Sequence, residues 1–361
     1  MRIVAKIGTS SITDTSGAIS VSMVESLCAQ VAALRRSGHE VLVVTSGAVA
    51  GGVAALGFAS RPSDTATLQA LAAAGQSRLM GHYNAAFDKH GLVGAQVLLV
   101  PNDFIDRAQY LHARQTMLRL LELGCVPVIN ENDAIASDEI RFGDNDRIAA
   151  LVAHSVSADL LVLLTDTAGL FTADPTVHPD ASLVQHVAAD DELMTVRAGS
   201  TSSGVGSGGM ASKLAAARIA SWSGVRTVIA AAKRPNVLRE AVDATPGVGT
   251  IFTAHDRSLT ARKLWIAFAA QPAGHVVVDA GARTALVSRG VSLLHAGVVH
   301  ANGDFSAGDV IDILDEAGLL VARGLVRVDA RAASAAAGKK SSELPDDVPT
   351  ELVHRDDLIV Y

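Results

Sequence analysis

Short apolar runs recur along the first two-thirds of the chain, and longer runs of helical periodicity separate them. The runs RIVAKIG, EVLVVTSG, VGAQVLLV, VPVIN, DLLVLLTD and RTVIAA read as strands, most of them apolar throughout and therefore covered on both faces. Between several of them lie Ala- and Leu-rich helical segments, such as SMVESLCAQVAALRRSG, which ends with Arg35, Arg36 and Gly38 as helix-stop signals. Alternation of strand and helix at this spacing predicts an α/β fold: a mainly parallel sheet sandwiched by helices, over residues 1–255.

Past residue 255 the texture changes. Residues 256–273 read as a linker, and residues 274–361 show short alternating segments broken by Gly and Asp, as in VVHANGDFSAGDVIDILDEAGLLVARGLVRVDA. There DEAG predicts a hairpin turn and GARTALVSRG one helix, so a small, mainly β domain is expected. The tract RAASAAAGKKSSEL is low in complexity and fits a frayed helix or a loop.

A length of 361 residues suits two domains, and 49% apolar with 19% charged residues excludes a disordered chain. The formal charge of −7 gives no general attraction to nucleic acid or anionic membranes. The N-terminus starts directly on a strand-like pattern, and no apolar run reaches the length of a membrane span, so a cytoplasmic location is expected. Two cysteines, Cys28 in a helical run and Cys125 at a strand start, read as buried thiols rather than a metal cluster. No pair among the 12 histidines has the helical spacing of a zinc site.

Polar residues concentrate where the apolar runs end, which is where open α/β sheets bind ligands. In VAKIGTSSIT, Lys6 sits inside a strand that runs into Gly8 and a row of hydroxyls, a setting either for a solvated strand end or for an anion. VVTSGAVAGG repeats the ending, with Ser46 followed by small residues that would let a ligand approach the backbone. INENDAIASDEIRFGDNDRIAAL holds Glu131, Asp133, Asp138, Glu139, Asp144 and Asp146 against two arginines, between a buried strand and a helix. LLTDTAGLFTADP puts Thr165 and Asp166 at a strand exit, where Asx-capped turns are the competing explanation. GVGSGGMASK matches a GxGxxG pattern through Gly204, Gly206 and Gly209, but it does not directly follow a strand and no acidic residue ends the next one, which argues against a nicotinamide dinucleotide. Ser212 before Lys213 and Leu214 after it exclude a Walker A loop. A glycine-rich loop feeding a helix with Lys213 in its first turn remains, and amides, dipole and ammonium there all favour phosphate.

Taken in order, VAKIGTSSIT, VVTSGAVAGG, INENDAIASDEIRFGDND, LLTDTAGLFTADP and GSGGMASK closely resemble the glutamate 5-kinases of the amino acid kinase family. The C-terminal part resembles a PUA domain, and the likeness spans essentially the whole chain. The resemblance implies ATP-dependent phosphorylation of the γ-carboxylate of L-glutamate, the first step of proline synthesis, with ATP as co-substrate and Mg²⁺. It implies that Lys6 and Lys213 contact the transferring phosphoryl group and that Asp146 orients them. Ser46, Asp133 and Asn145 would hold glutamate, with Asp133 pairing the α-ammonium and Asn145 assisting. Thr165, Asp166 and the run Ser207, Gly208, Gly209, Met210, Ala211, Ser212, Lys213 would line the ATP site, Ser207 standing where the family pattern leads one to expect Thr. Asp138 and Glu139 are expected to be solvated, and no protein side chain is assigned to metal.

A kinase of the same fold for aspartate, N-acetylglutamate or a nucleoside monophosphate remains open on spacing alone. Feedback inhibition by proline and a homo-oligomer, dimer or tetramer, are implied by the resemblance. RNA binding by the C-terminal domain is opposed by its charge: residues 274–361 carry eight Lys and Arg against thirteen Asp and Glu.

Overall fold

The computed structural model describes residues 1–361 except 105, 136–144, 176, 195–207, 256–258 and 270–271. Two compact units divide the chain, one from within residues 1–194 and 203–258 and one from within 259–361.

The first unit is built on strands β1 (Arg2–Ile7), β2 (Glu40–Val44), β3 (Gly94–Leu99), β4 (Val126–Glu131), β5 (Leu160–Thr165), β6 (His186–Val187), β7 (Arg226–Ala231) and β8 (Thr250–Phe252). They form one sheet in the order β3-β4-β2-β1-β5-β7-β8-β6, parallel except for the β7–β8 pair. All six apolar runs that the sequence marks as strands are present. The additions, β6 and β8, are two and three residues long and lie at the far edge, too short to carry a periodic signal.

Helices α1 (Thr9–Ile12), α2 (Val21–Arg36), α3 (Ala48–Ala55), α4 (Thr65–Asp88), α5 (Arg107–Glu122), α6 (Asn145–Ser155), α7 (Gly208–Trp222) and α8 (Val237–Val242) accompany the strands. One core joins Ile3, Ala5 and Ile7 of β1 to α2, α4 and α8, with Val24, Leu27, Leu79 and Phe87 among its buried members. Val4 and Lys6 alternate to the opposite face, where α6 packs on β1. Burial on both faces explains why β1, β4 and β5 read as continuous apolar runs.

Gly51 and Gly52 of VVTSGAVAGG pack against α4, while Ala48 of the same run lines a cavity. A Cβ at Gly52 would stand 2.0 Å from the Leu71 carbonyl oxygen, and one at Gly75 would stand 1.8 Å from that of Ala48. Helices α3 and α4 thus touch backbone to backbone, and only glycine fits the crossing. Gly47 has its own requirement, a φ of 109° at the cap of α3.

The second unit carries α9 (Ala261–Leu264), β9 (Gly274–Val278), α10 (Ala280–Arg289), β10 (Leu293–Leu294), β11 (Val298–Gly303), β12 (Val310–Asp315), β13 (Leu320–Val326), α11 (Ala330–Ala336) and β14 (Glu351–Val360). Its sheet runs β10-β14-β13-β12-β9-β11 around a core with Val276, Phe305, Ile311 and Leu352. The DEAG turn joins β12 to β13 as expected. Part of the low-complexity tract forms α11, whose Asp329 cap accepts from the Ala332 N–H.

Cys28 is buried, and burial pushes its thiol up to about 12. Cys125 is only half-buried, contrary to expectation, because it lies in the turn between Gly124 and β4.

Candidate active site

Strands β4, β2, β1 and β5 lie side by side, and their C-terminal ends bring the polar motifs together. In register, Lys6 of β1 sits opposite Val44 of β2 and Leu163 of β5, so Thr45–Ser46 and Thr165–Asp166 leave the sheet at neighbouring exits. Strand β4 ends in Asn130 and Glu131, followed by Asp133.

Lys6 is 4% exposed, and its Nζ lies 2.6 Å from Asp146 Oδ1. Strand parity aims it at the face that α6 covers, and Asp146 stands in the first turn of that helix. Lys213 Nζ reaches the second carboxylate oxygen at 3.2 Å, and Ser212 Oγ donates to the same oxygen at 2.9 Å. Burial alone would raise the Asp146 pKa, but the two ammonium groups and the Ser212 hydroxyl outweigh it and hold the carboxyl below its ordinary value. Helix α7 begins at Gly208, so Lys213 sits in its second turn rather than the first, and its Nζ also faces the Gly209 carbonyl at 3.4 Å. Gly209 is open on its Cβ side, and the first turn of α7 carries no acidic residue to compete with an incoming anion. Met210 and Ala211 follow Gly209 in that turn. Thr165 is buried and donates to Asp166 Oδ1 at 3.0 Å, while Asp166 itself is exposed. Ser207, Asp138 and Glu139 lie outside the described residues.

On the other side of Lys6 a chain of side-chain hydrogen bonds runs from the buried end of β4 through helix α4 to the exposed Gln96 of β3. The Glu131 N–H donates to Asn145 Oδ1 at 3.1 Å, which turns the Asn145 amide nitrogen toward Ser46 Oγ and Asn130 Oδ1, each at 3.1 Å. Asn130 Nδ2 then donates to Gln76 Oε1 at 2.9 Å, and Gln76 Nε2 donates to Gln96 Oε1 at 3.1 Å. Sequence reasoning missed Asn130, Gln76 and Gln96. Their one signal was amide residues inside otherwise apolar runs.

Beside this chain lies a cavity of about 300 Å³, lined by Ala72, Ala73, Gln76, Gln96, Glu131 and Asp133 among others. Asp133 is 9% exposed, and its Oδ1 has no hydrogen-bond partner among the described residues. Burial lifts its carboxyl to about 6, with Arg61 offsetting part of the rise. A buried carboxylate left without a donor suits a cationic ligand.

The arrangement thus has an ammonium pair aimed at the start of α7 and, one residue away along α6, an amide network beside an acidic cavity. The model of the amino acid kinase family matches residues 1–231. The chain belongs to the amino acid kinase family. A PUA domain model matches residues 274–347. Within the family the chain groups with the glutamate 5-kinases: it is 46% identical to that of Thermobifida fusca over 99% of this chain and 93% of the relative. The protein of the same name from Frankia casuarinae is 46% identical over 99% and 96% of the two chains, and that of Ralstonia nicotianae 44% over 99% and 97%.

Among the described residues no group of three His, Cys, Asp or Glu side chains could hold a metal, and no helix is long and apolar enough to cross a membrane. A kinase magnesium is held largely by nucleotide phosphates and water.

Proposed function

We propose that the chain transfers the γ-phosphoryl group of ATP to the γ-carboxylate of L-glutamate, giving L-glutamyl 5-phosphate and ADP, the opening step of proline synthesis. The observation that carries this reading is the Lys6–Asp146–Lys213 cluster joined through Asn145 to an acidic, amide-lined cavity, in a chain whose full-length relatives are named glutamate 5-kinase.

Glutamate's γ-carboxylate has a pKa of about 4.3 and is ionised at neutral pH, so it attacks without a general base. A carboxylate oxygen forms the new bond to phosphorus, the bond from phosphorus to the bridging oxygen breaks, and ADP leaves with that electron pair. Charge builds on the transferring group, and Lys6, Lys213 and the amides of the glycine-rich run supply positive potential for it. Mg²⁺ bound with the nucleotide neutralises its phosphates. Asp146 keeps both lysines charged and aimed. Ser46 and Asn145 fix the substrate, Asp133 pairs with its α-ammonium, and Thr165, Asp166 and the segment from Ser207 to Lys213 line the nucleotide.

Proline shares the α-carboxylate and an amine with glutamate, so its inhibition acts at the Asp133 end. A dimer or tetramer in the cytoplasm completes the reading. The acidic balance of residues 274–361 favours an assembly or regulatory role for the C-terminal unit over RNA binding. The test is Mg-ATP turnover with L-glutamate, L-aspartate, N-acetyl-L-glutamate and UMP, with hydroxylamine present to trap acyl phosphate. Hydroxamate from glutamate alone is expected, whereas ADP release with UMP alone, or none with any substrate, overturns the assignment.

A further inference from the structure

The direction of every hydrogen bond in the amide chain is set by one group. A backbone N–H can only donate, so Glu131 N fixes Asn145 Oδ1 as acceptor, and each amide further along must then present its oxygen backward and its nitrogen forward. Several donors are left over at the end of this sequence of constraints: those of Ser46 and Gln76, a second N–H on Asn130 and both on Gln96. Ser46 Oγ accepts from Asn145, which leaves its own proton free to donate. Gln76 spends one N–H on Gln96 and keeps the second.

Gln76 is 9% exposed and lines the cavity that Asp133 and Glu131 also line. Most of the cavity surface is apolar, from residues such as Ala48, Ala72, Ala73 and Leu98, and two kinds of polar group interrupt it. Carboxylates line it from the exit of β4, and amide N–H donors line it from α4 and β3 through Gln76 and Gln96. An amino acid carries opposite charges on one carbon, and the acidic wall repels its carboxylate toward the donor wall.

We propose that Gln76 is a specificity-determining substrate residue, whose free amide N–H binds the α-carboxylate while Asp133 takes the α-ammonium. This rests on the substrate reading above and deepens it, because it names what separates an amino acid from a plain dicarboxylate or an ω-amino acid. The relay holds the Gln76 amide at both ends, so its place in the cavity wall is fixed before substrate arrives.

The test compares three compounds on the full chain: L-glutamate, glutarate, which keeps both carboxylates, and 4-aminobutyrate, which lacks the α-carboxylate. Glutamate is followed by KM and kcat, the other two by competitive inhibition against it. Gln76→Leu should weaken glutamate and glutarate together by about 10-fold or more, the scale of a hydrogen bond to a charged group, and leave kcat and the inhibition constant of 4-aminobutyrate nearly unchanged. Equal weakening of all three, or of none, overturns the proposal, since a merely structural role does not distinguish them. Gln96→Leu, on the exposed edge strand, removes the anchor of the Gln76 amide and should give the same selective pattern at smaller size. If Gln76→Leu fails to fold, this variant decides: the selective pattern supports the assignment and a uniform or absent effect overturns it. Loss of glutamate turnover in the unaltered protein would instead defeat the substrate reading itself.

Discussion

Asn145 and Asp146 are consecutive residues in the first turn of α6, yet they serve two different neighbourhoods. Asn145 donates to Ser46 and Asn130, and Asp146 binds Lys6 and Lys213. Successive side chains on a helix point about 100° apart, so one helix turn faces both the amide network and the lysine pair. On the proposed reading, a single peptide unit thereby holds the acceptor and donor halves of the phosphoryl transfer in fixed relation. Fixed relation is most of what this chemistry asks of a protein.

Asp146→Asn keeps the shape and removes the charge between two buried ammonium groups. The expected outcome is a kcat lower by about 10²-fold or more with a small change in either KM. Breaking a buried pair costs roughly 3–5 kcal/mol, so thermal unfolding of the unliganded variant should also fall. Normal kcat in a folded Asp146→Asn protein would remove the carboxylate from the mechanism.

Lys213→Ala tests the ammonium at the start of α7. Loss of a donor that acts chiefly in the transition state should lower kcat by at least about 10²-fold and leave KM for ATP and glutamate within a few-fold. A large KM effect with kcat preserved would make Lys213 a ground-state binding residue only.

Under the proposed pairing with the α-ammonium, Asp133 should link substrate binding to pH. Folding raises its carboxyl from 3.8 to about 6, so the folded protein holds this proton better than the unfolded chain does. The stabilisation from that proton is complete below the unfolded value and is lost as pH rises through about 6. Two outcomes follow. Glutamate KM should rise as pH falls through about 6, where the partner of the α-ammonium becomes neutral. Asp133→Asn should raise glutamate KM and flatten that profile, and should raise the unfolding temperature near neutral pH, because an uncompensated buried charge is removed. A KM profile unchanged by Asp133→Asn would disprove the pairing.

Gly75→Ala should damage the site without touching it. The added Cβ falls 1.8 Å from the Ala48 carbonyl oxygen, and two helix backbones must separate to admit it. The cost should exceed about 3 kcal/mol, at the upper end for overpacking, visible as a markedly lower unfolding temperature. The exposed Gly81, with open space for a Cβ, is the control and should tolerate alanine. Equal tolerance at both positions would contradict the close crossing of α3 and α4.

Much of this was legible in the chain because burial on both faces leaves a strong mark. Strands β1, β4 and β5 are mainly apolar, and the polar residues toward their C-terminal ends, Lys6, Asn130 and Thr165, fall at the site. Other parts were silent for physical reasons. Gln76 lies in an Ala- and Leu-rich helix, where a single amide looks the same whether it faces water or a cavity. The Gly52–Gly75 crossing joins residues 23 apart, and no local pattern distinguishes a glycine that admits a helix from one that admits a ligand. Lys213 was placed a turn too early because glycine at a helix start leaves the boundary unmarked.

Direct transfer of phosphorus onto the substrate's own γ-carboxylate is tested most closely by isotope tracing. L-Glutamate labelled with ¹⁸O in both γ-carboxylate oxygens is turned over with Mg-ATP, and the acyl phosphate is cleaved with hydroxylamine, which attacks the carbonyl carbon. The released inorganic phosphate should carry one ¹⁸O atom from glutamate. Phosphate free of the label would mean that water had taken the phosphoryl group, and would contradict direct transfer.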